Sequence, residues 1–361
     1  MKKILKHQFS VLGLALVVAI AVFSCVFLDG YTIAQLDEKG NEVYYAKANS
    51  DVVFTVNGHI KCLTTDNNGV NTKFVFAILA PKDWDVANHA VVTYKCDNLG
   101  DDRDLEMSMS IIPESQLPKS GGGRTWRQCL INEYGVGPNV LDDMEWVVYQ
   151  TDITWNVRNN QESTYTIFVR TKTGRHNLKC KLGFFVNHTD DGFGGGTDHK
   201  KVTFASECFE VVDGIGMTID FCNRHFNRVS PLTALQNDYV TISYQGDVDQ
   251  SGNPLYNESD IYLQGKAVTT SGKVYTIDQQ NDATRMKLMG TLGKTYNITI
   301  WPAGFFGVPI EEQIDYFEYY FTNSDGSIRL TQSDDDFVQF GTPLPPSMSD
   351  RKNFNFKFEC D

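Results

Sequence analysis

Thr164-Tyr-Thr-Ile-Phe-Val-Arg-Thr171 (TYTIFVRT) is the stretch that decides the fold. Every residue but Arg170 is β-branched or aromatic, types that pack well on a pleated surface and lose rotamer freedom in a helix. Similar runs lie on either side, at 52–56, 74–79, 90–94, 107–112, 145–152, 181–187 and 201–212. A further series follows at 239–244, 261–268, 273–277, 285–289, 296–301, 319–322 and 353–359, all split by Asn, Gly, Asp and Pro clusters. Many short strands at this spacing predict an all-β chain of two or three consecutive β-sandwich domains of Ig-like type. The clearest helix is Thr125 to Tyr134, where Trp126, Leu130 and Tyr134 recur on one face. It follows the flexible Ser120-Gly121-Gly122-Gly123, so the expected layout is a sandwich over 33–115, a linker with a short helix over 116–140, a second sandwich over 141–215 and a third over 230–361. No internal repeat is evident.

The first 25 residues, MKKILKHQFSVLGLALVVAIAVFSC, read differently. A basic head (Lys2, Lys3, Lys6), an apolar core from Val11 to Phe23 and the small Ser24 before Cys25 describe a secretory signal. Val22-Phe23-Ser24-Cys25 resembles the bacterial lipobox, which predicts a signal peptide over 1–24, lipidation of Cys25 and a tether over 25–32. The other reading is an uncleaved anchor, since Phe9 to Leu28 approaches the ~20 residues a spanning helix needs. Either way the expected place is the cell envelope, with an outer-membrane lipid anchor and the leaflet left open.

The chain has 361 residues, 41% of them apolar, enough for a packed core rather than disorder. Its formal charge of −13 becomes −16 once Lys2, Lys3 and Lys6 leave with the signal. A surface of that sign argues against nucleic acid and against adhesion to anionic lipid. Eight cysteines are present, and with Cys25 lipidated seven remain. None forms a C-x-x-C pair, which leaves zinc and thioredoxin-type chemistry unsupported. Cys62 with Cys96 would suit a sandwich disulfide, although spacing does not fix connectivity.

Two polar clusters could hold a metal. Asp247, Asp249, Ser251, Asn253 and Glu258 fit the spacing of a calcium loop, with Gly252 at the sharp turn. Pro254 and strand-like flanks weigh against it, and the competing reading is a polar hairpin turn. The only cofactor in view is thus a structural calcium. Asn187-His188-Thr-Asp190-Asp191, continuing through Gly194-Gly195-Gly196 to Asp198-His199, matches no metal spacing and reads as a hairpin tip. Enzyme signatures are absent: no G-x-S-x-G, no H-E-x-x-H and no phosphate-cradling glycine loop. Asp142-Asp143 and Glu311-Glu312 are adjacent, so on a strand their side chains face opposite ways and no glycosidase pair follows.

The remaining signal is aromatic. Sugars lie face-on against flat rings, while Asn, Gln and Asp bind hydroxyls. In Trp301-Pro-Ala-Gly-Phe305-Phe306-Gly-Val308-Pro309 the glycines and prolines prevent a plain core strand. Tyr244, Trp301, Phe305 and Phe306 are therefore the candidate glycan-binding residues.

These segments carry a resemblance. Leu79-Ala-Pro-Lys-Asp-Trp84, Asp143-Met-Glu-Trp-Val-Val-Tyr149, Lys181-Leu-Gly-Phe-Phe-Val-Asn187 with Asp190-Asp191-Gly192, and Asp260-Ile-Tyr-Leu263 make the chain resemble the DUF4961 lipoproteins of Bacteroidetes. The last third is similar to carbohydrate-binding sandwiches of SusE/SusF-like proteins, through 294–300 and 320–326. The resemblance implies a glycan-binding accessory of a polysaccharide utilisation locus, beside a SusC/SusD-like transporter, and not an enzyme. It brings no catalytic residue. The expected function is a lipid-anchored, non-catalytic protein that holds polysaccharide or oligosaccharide for uptake. The alternative is a structural or assembly lipoprotein that contacts the transporter and binds no sugar; five buried tryptophans would favour it.

Overall fold

The computed structural model describes residues 23–63, 69–97, 105–193, 201–291 and 293–358. Residues 1–22, most of the expected signal, lie outside the described residues. The chain forms two compact units, Met1–Arg175 with Cys180–Val212, and His176–Lys179 with Asp213–Asp361. Both are built of strands, as the runs predict.

The first unit is organised by one nine-stranded antiparallel sheet. Its strands are β1 (Phe23–Thr32), β2 (Asp51–Leu63), β3 (Phe74–Pro81), β4 (Val91–Cys96), β5 (Met107–Ile111), β6 (Met144–Thr151), β7 (Glu162–Lys172), β8 (Gly183–His188) and β9 (Val202–Phe204). Their spatial order is β1-β2-β7-β4-β5-β6-β3-β8-β9. β7, which contains TYTIFVRT, sits third and pairs with both β2 and β4. Ser163, Tyr165, Ile167, Val169 and Thr171 all point inward, the period-2 pattern of a strand with one buried face. β3 and β8 are buried at every residue, as strands covered on both faces must be. The sheet curls on itself, so that Tyr31 of β1 meets Phe184 of β8 with ring centroids 5.6 Å apart.

Four expectations change here. The sandwiches expected over 33–115 and 141–215 are not separate but share the nine-stranded sheet, because β6 inserts between β5 and β3 while β7 inserts between β2 and β4. Local composition signals a strand but not its partner. The stretch 116–140 is not a linker: α1 (Trp126–Tyr134) is capped by reciprocal Thr125 and Gln128 hydrogen bonds and buries Trp126, Cys129 and Leu130. Gly121 lies so close to Pro118 and Cys129 that a Cβ there would stand 2.7 Å from the Pro118 ring. The tether over 25–32 is strand β1, in which Cys25 opposes Lys61 and Val26 is already core. Cys62 and Cys96 are buried thiols that form no disulfide with each other.

The second unit stacks two sheets. One contains β10 (Asn227–Ser230), β11 (Val240–Gln245), β14 (Lys287–Leu288) and β15 (Thr295–Ile300), in the order β10-β11-β15-β14. The other contains β12 (Tyr262–Thr269), β13 (Val274–Ile277), β16 (Ile314–Thr322), β17 (Arg329–Leu330) and β18 (Phe354–Lys357). Its order is β13-β12-β16, with both β17 and β18 on the far side of β16. Tyr244 and Phe321, 5.3 Å apart, mark where the sheets meet across a core rich in aromatic rings. Two short helices complete the unit, α2 (Pro302–Phe306) and α3 (Gln332–Phe340).

Candidate functional site

β11 and β15 pair from Gln245 opposite Thr295 to Val240 opposite Ile300. Tyr239 and Trp301 are the next residues on each side, so they flank the following rung. Side chains alternate across a strand. Val240 and Ile300 therefore enter the core while Tyr239, Thr241, Thr299 and Trp301 share the other face. Tyr239 is 70% exposed and Trp301 37%, and the Thr241 and Thr299 hydroxyls lie 2.8 Å apart. One step further along the same face, Asn297 opposes Ser243 and its Oδ1 is buried with no hydrogen-bond partner.

Local sequence holds the tryptophan in place. Trp301 is the extended residue before α2, Pro302 starts the helix without a wasted N–H, and Gly307 ends it at φ 71°. Gly304 lies directly under the indole: a Cβ there would sit 2.5 Å from Trp301 Cε3. The other tryptophans have different fates. Trp84, Trp126 and Trp146 are buried, and half-buried Trp155 donates its Nε1–H to the Tyr94 hydroxyl at 2.9 Å.

The four rings expected to form a sugar site are not together at the surface. Tyr244 is core: its hydroxyl donates to Asn253 Oδ1 at 2.9 Å, and burial lifts its pKa well above the usual range despite that bond. Phe306 is buried and half-buried Phe305 packs edge-on against it at 5.0 Å. Aromatic identity was legible, but burial depends on which face a strand or helix presents. Trp301 is the one of the four that is exposed rather than buried or half-buried, and Tyr239, whose register partners it, was missed. The apolar Val240 and Ile300 flanking an aromatic on each strand were the signal.

The segment from Asp247 to Glu258 is built as a turn. Asp249 Oδ1 accepts from Ser251 N at 2.8 Å, Ser251 Oγ at 2.8 Å and Gly252 N at 3.1 Å, bonds that hold its carboxyl below the usual range. Asp247 accepts from Lys294 N at 2.6 Å. Asn253 spends its oxygen on Tyr244 and on Leu255 N, and its Nδ2 on Gly246 O. Glu258 enters through its backbone, donating to Leu255 O at 3.0 Å. These side chains do not converge, and no group of three or more His, Cys, Asp or Glu close enough to share a metal occurs among the described residues.

In the 187–199 segment, residues 194–200 lie outside the described residues. The part before them is well tied. His188 is buried with Nδ1 3.2 Å from Thr72 Oγ1, and Phe193 packs on Trp126 and donates its N–H to Lys119 O at 2.7 Å. Asn187 is 4% exposed; its Nδ2 donates to Gly192 O at 2.7 Å while its Oδ1 accepts from Lys201 Nζ at 3.1 Å. Lys201 also ion-pairs with Asp191.

A further buried feature is found in each unit. The hollow inside the curled sheet is small, about 20 Å³, and is lined by Val26, Ile60, Tyr94, Met109, Ile167 and Val186 among others. Burial pushes the Cys96 thiol in its wall up to about 11, so no nucleophile stands there at neutral pH. In the second unit His225 is gripped by two carboxylates, with Nε2 3.1 Å from Asp220 Oδ2 and Nδ1 against Asp335. Burial works against the charged ring, but the bonds to Asp220 and Asp335 outweigh it and its pKa rises to about 9. Nothing in the sequence brought residues 220, 225 and 335 together. No described helix is long and apolar enough to cross a membrane.

The profile of the family described as a domain of unknown function, DUF4961, matches residues 31–225. That of DUF8578, also described as a domain of unknown function, matches residues 227–330. No curated protein matches the chain. Among solved structures, AvmM, which catalyzes macrocyclization in alchivemycin A biosynthesis, is 9% identical with a TM-score of 0.24, over 54% of this chain and 91% of that one. The C-terminal domain of the Streptococcus pyogenes antigen I/II-family protein AspA is 11% identical with a TM-score of 0.26, over 83% and 95%. The group B streptococcus pilus 2b backbone protein is 9% identical with a TM-score of 0.24, over 91% and 98%. At such scores none bears on what this chain does.

Proposed function

The chain belongs to the DUF4961 family, and from that premise we propose a non-catalytic, lipid-anchored protein of the cell envelope that binds polysaccharide or oligosaccharide. Cys25 would carry the lipid. Tyr239 and Trp301 would form the platform for the sugar, with the Thr241 and Thr299 hydroxyls beside it. The observation that carries this reading is an indole 37% exposed in a chain that buries three of its other four tryptophans. A large ring left in water on a stiff strand end offers contact area at little entropic cost. Such a protein raises the local concentration of glycan near a transporter of the SusC/SusD type and alters no bond.

The test is affinity electrophoresis of residues 26–361 through gels carrying plant, host and microbial polysaccharides. One glycan should retard the protein, and Trp301→Ala should weaken that binding by about tenfold or more, the ~1.4 kcal/mol of a stacked ring. Gly304→Ala should weaken it too, because the added methyl displaces the indole without removing it. Retardation that survives both changes would take the site away from Trp301. No retardation by any glycan would favour the assembly protein that contacts the transporter.

A further inference from the structure

Lys201 bridges Asn187 and Asp191 at the edge of the nine-stranded sheet. Asn187 lies on β8, and Lys201 immediately precedes β9, with its carbonyl accepting from Val186 N at 2.8 Å. The Lys201 ammonium touches only two acceptors among the described residues, Asn187 Oδ1 at 3.1 Å and the Asp191 carboxylate. Asn187 is held still by its bond to Gly192 O, so its carbonyl is presented to Nζ in one orientation. Cover comes from aromatic rings. Phe185, two residues back on the same face as Asn187, packs on Phe193 at 5.9 Å, and Phe193 packs on Trp126 at 6.2 Å. The Lys201 side chain is 16% exposed and that of Asp191 21%.

A largely buried ion pair is a poor source of stability, because desolvation offsets most of the attraction. Placing an amine, a primary amide and a carboxylate at hydrogen-bond range in such a site has a chemical consequence, since proximity replaces a bimolecular encounter. We propose that Lys201 and Asn187 become joined by an isopeptide bond which the folded chain forms on itself, with Asp191 carrying the protons. Asp191 takes a proton from the Lys201 ammonium, and the freed amine attacks Asn187 Cγ. Protonated Asp191 hydrogen-bonds the oxygen as negative charge develops on it. The Nζ–Cγ bond forms and the Cγ–Nδ2 bond breaks. Nδ2 leaves as ammonium with the two protons Lys201 has given up, and Asp191 returns to carboxylate. Nothing is oxidised or reduced, and no metal or second reactant is needed. The product exchanges the lysine's positive charge for a neutral amide that ties β8 to the residue before β9, and the Asp191 carboxylate remains beside it.

Mass spectrometry of the full-length protein, digested with trypsin after denaturation, tests this. The peptide beginning at Leu182 should appear joined to the one carrying Lys201, lighter than their sum by one ammonia and uncut after Lys201. Lys201→Arg keeps the charge beside Asp191 and should give the two peptides unjoined at full mass. Asp191→Ala should fold, by circular dichroism, and leave most of the peptides unjoined. Separate, full-mass peptides from the unmutated protein would overturn the proposal. Loss of ammonia that persists in Lys201→Arg would overturn it equally, since Asn187 would then be closing on its own backbone. A complete cross-link in Asp191→Ala would remove Asp191 from the chemistry.

Discussion

Gly58→Ala is expected to destabilise the first unit by about 3 kcal/mol, the scale of overpacking in a closed core with a hydrogen bond lost as well. Gly58 lies in β2 opposite Leu28 of β1, and the Tyr165 hydroxyl crosses over it to donate to Phe27 O at 2.7 Å. A Cβ at this position would stand 2.1 Å from Phe27 O and 2.2 Å from the Tyr165 oxygen. The tyrosine could swing away, but only by leaving a buried hydroxyl without its partner. The carbonyl cannot, because it belongs to the β1–β2 ladder. Urea unfolding should show the midpoint drop with the slope unchanged. Tyr165→Phe should cost less, about 1 kcal/mol, and should not rescue Gly58→Ala, since the carbonyl clash remains. A loss below ~1 kcal/mol in Gly58→Ala would show that β1 yields at this rung.

The second large effect is Asp335→Ala. Asp335 is 1% exposed in the first turn of α3, accepts from Phe226 N at 2.8 Å and holds His225 Nδ1. Removing it leaves an imidazolium with half its grip and an N–H with none, a loss of about 3–5 kcal/mol in the second unit. The same triad fixes a pH dependence. His225 titrates near 9 in the fold against an ordinary 6.5, so its contribution is complete below 6.5 and disappears as pH rises through 9. Asp220 shifts the other way: burial raises its pKa, but the bonds from His225, Asn223 and Cys222 N prevail and lower it. Its contribution is complete above the ordinary carboxylate value and is lost on acidification. The melting temperature of the second unit should therefore be highest between about pH 4 and 6.5 and fall towards pH 9, a fall abolished in His225→Gln. An unchanged melting temperature between pH 6.5 and 9.5 would mean the ring is neutral in the fold.

What the sequence made legible was the strands themselves. The runs at 164–171, 145–152 and 296–301 carry their evidence locally, in β-branched and aromatic side chains, and so did Trp126, Leu130 and Tyr134 along α1. Partnership did not show. Nothing within 145–152 says that it will lie between 107–111 and 74–81, and for this reason one sheet read as two sandwiches. Ser120-Gly121-Gly122-Gly123 reads as a flexible linker, yet Gly121 is required by close packing. Asp247 to Glu258 has calcium-loop spacing, yet its oxygens are spent on turn N–H groups and on Tyr244. At the candidate site the decisive property is exposure, which a residue's identity does not determine. Tyr244 and Tyr239 are five residues apart in β11 and its approach, and one is core while the other stands in water.

The pairing of β2 with β7 joins Asp51–Leu63 to Glu162–Lys172 across about a hundred intervening residues, and β4, β5, β6 and β3 all come from between them. Contacts of such sequence separation must wait for a long loop to close, which makes folding slow. β1 with β2, β4 with β5, β5 with β6 and β8 with β9 pair between strands consecutive in this sheet, but the sheet is completed only when β7 joins β2 to β4. A chain emerging from its N-terminal end would leave β2 and β4 each without the partner on one edge until residue 172 was free. Lateness in folding is thus written into the strand order itself.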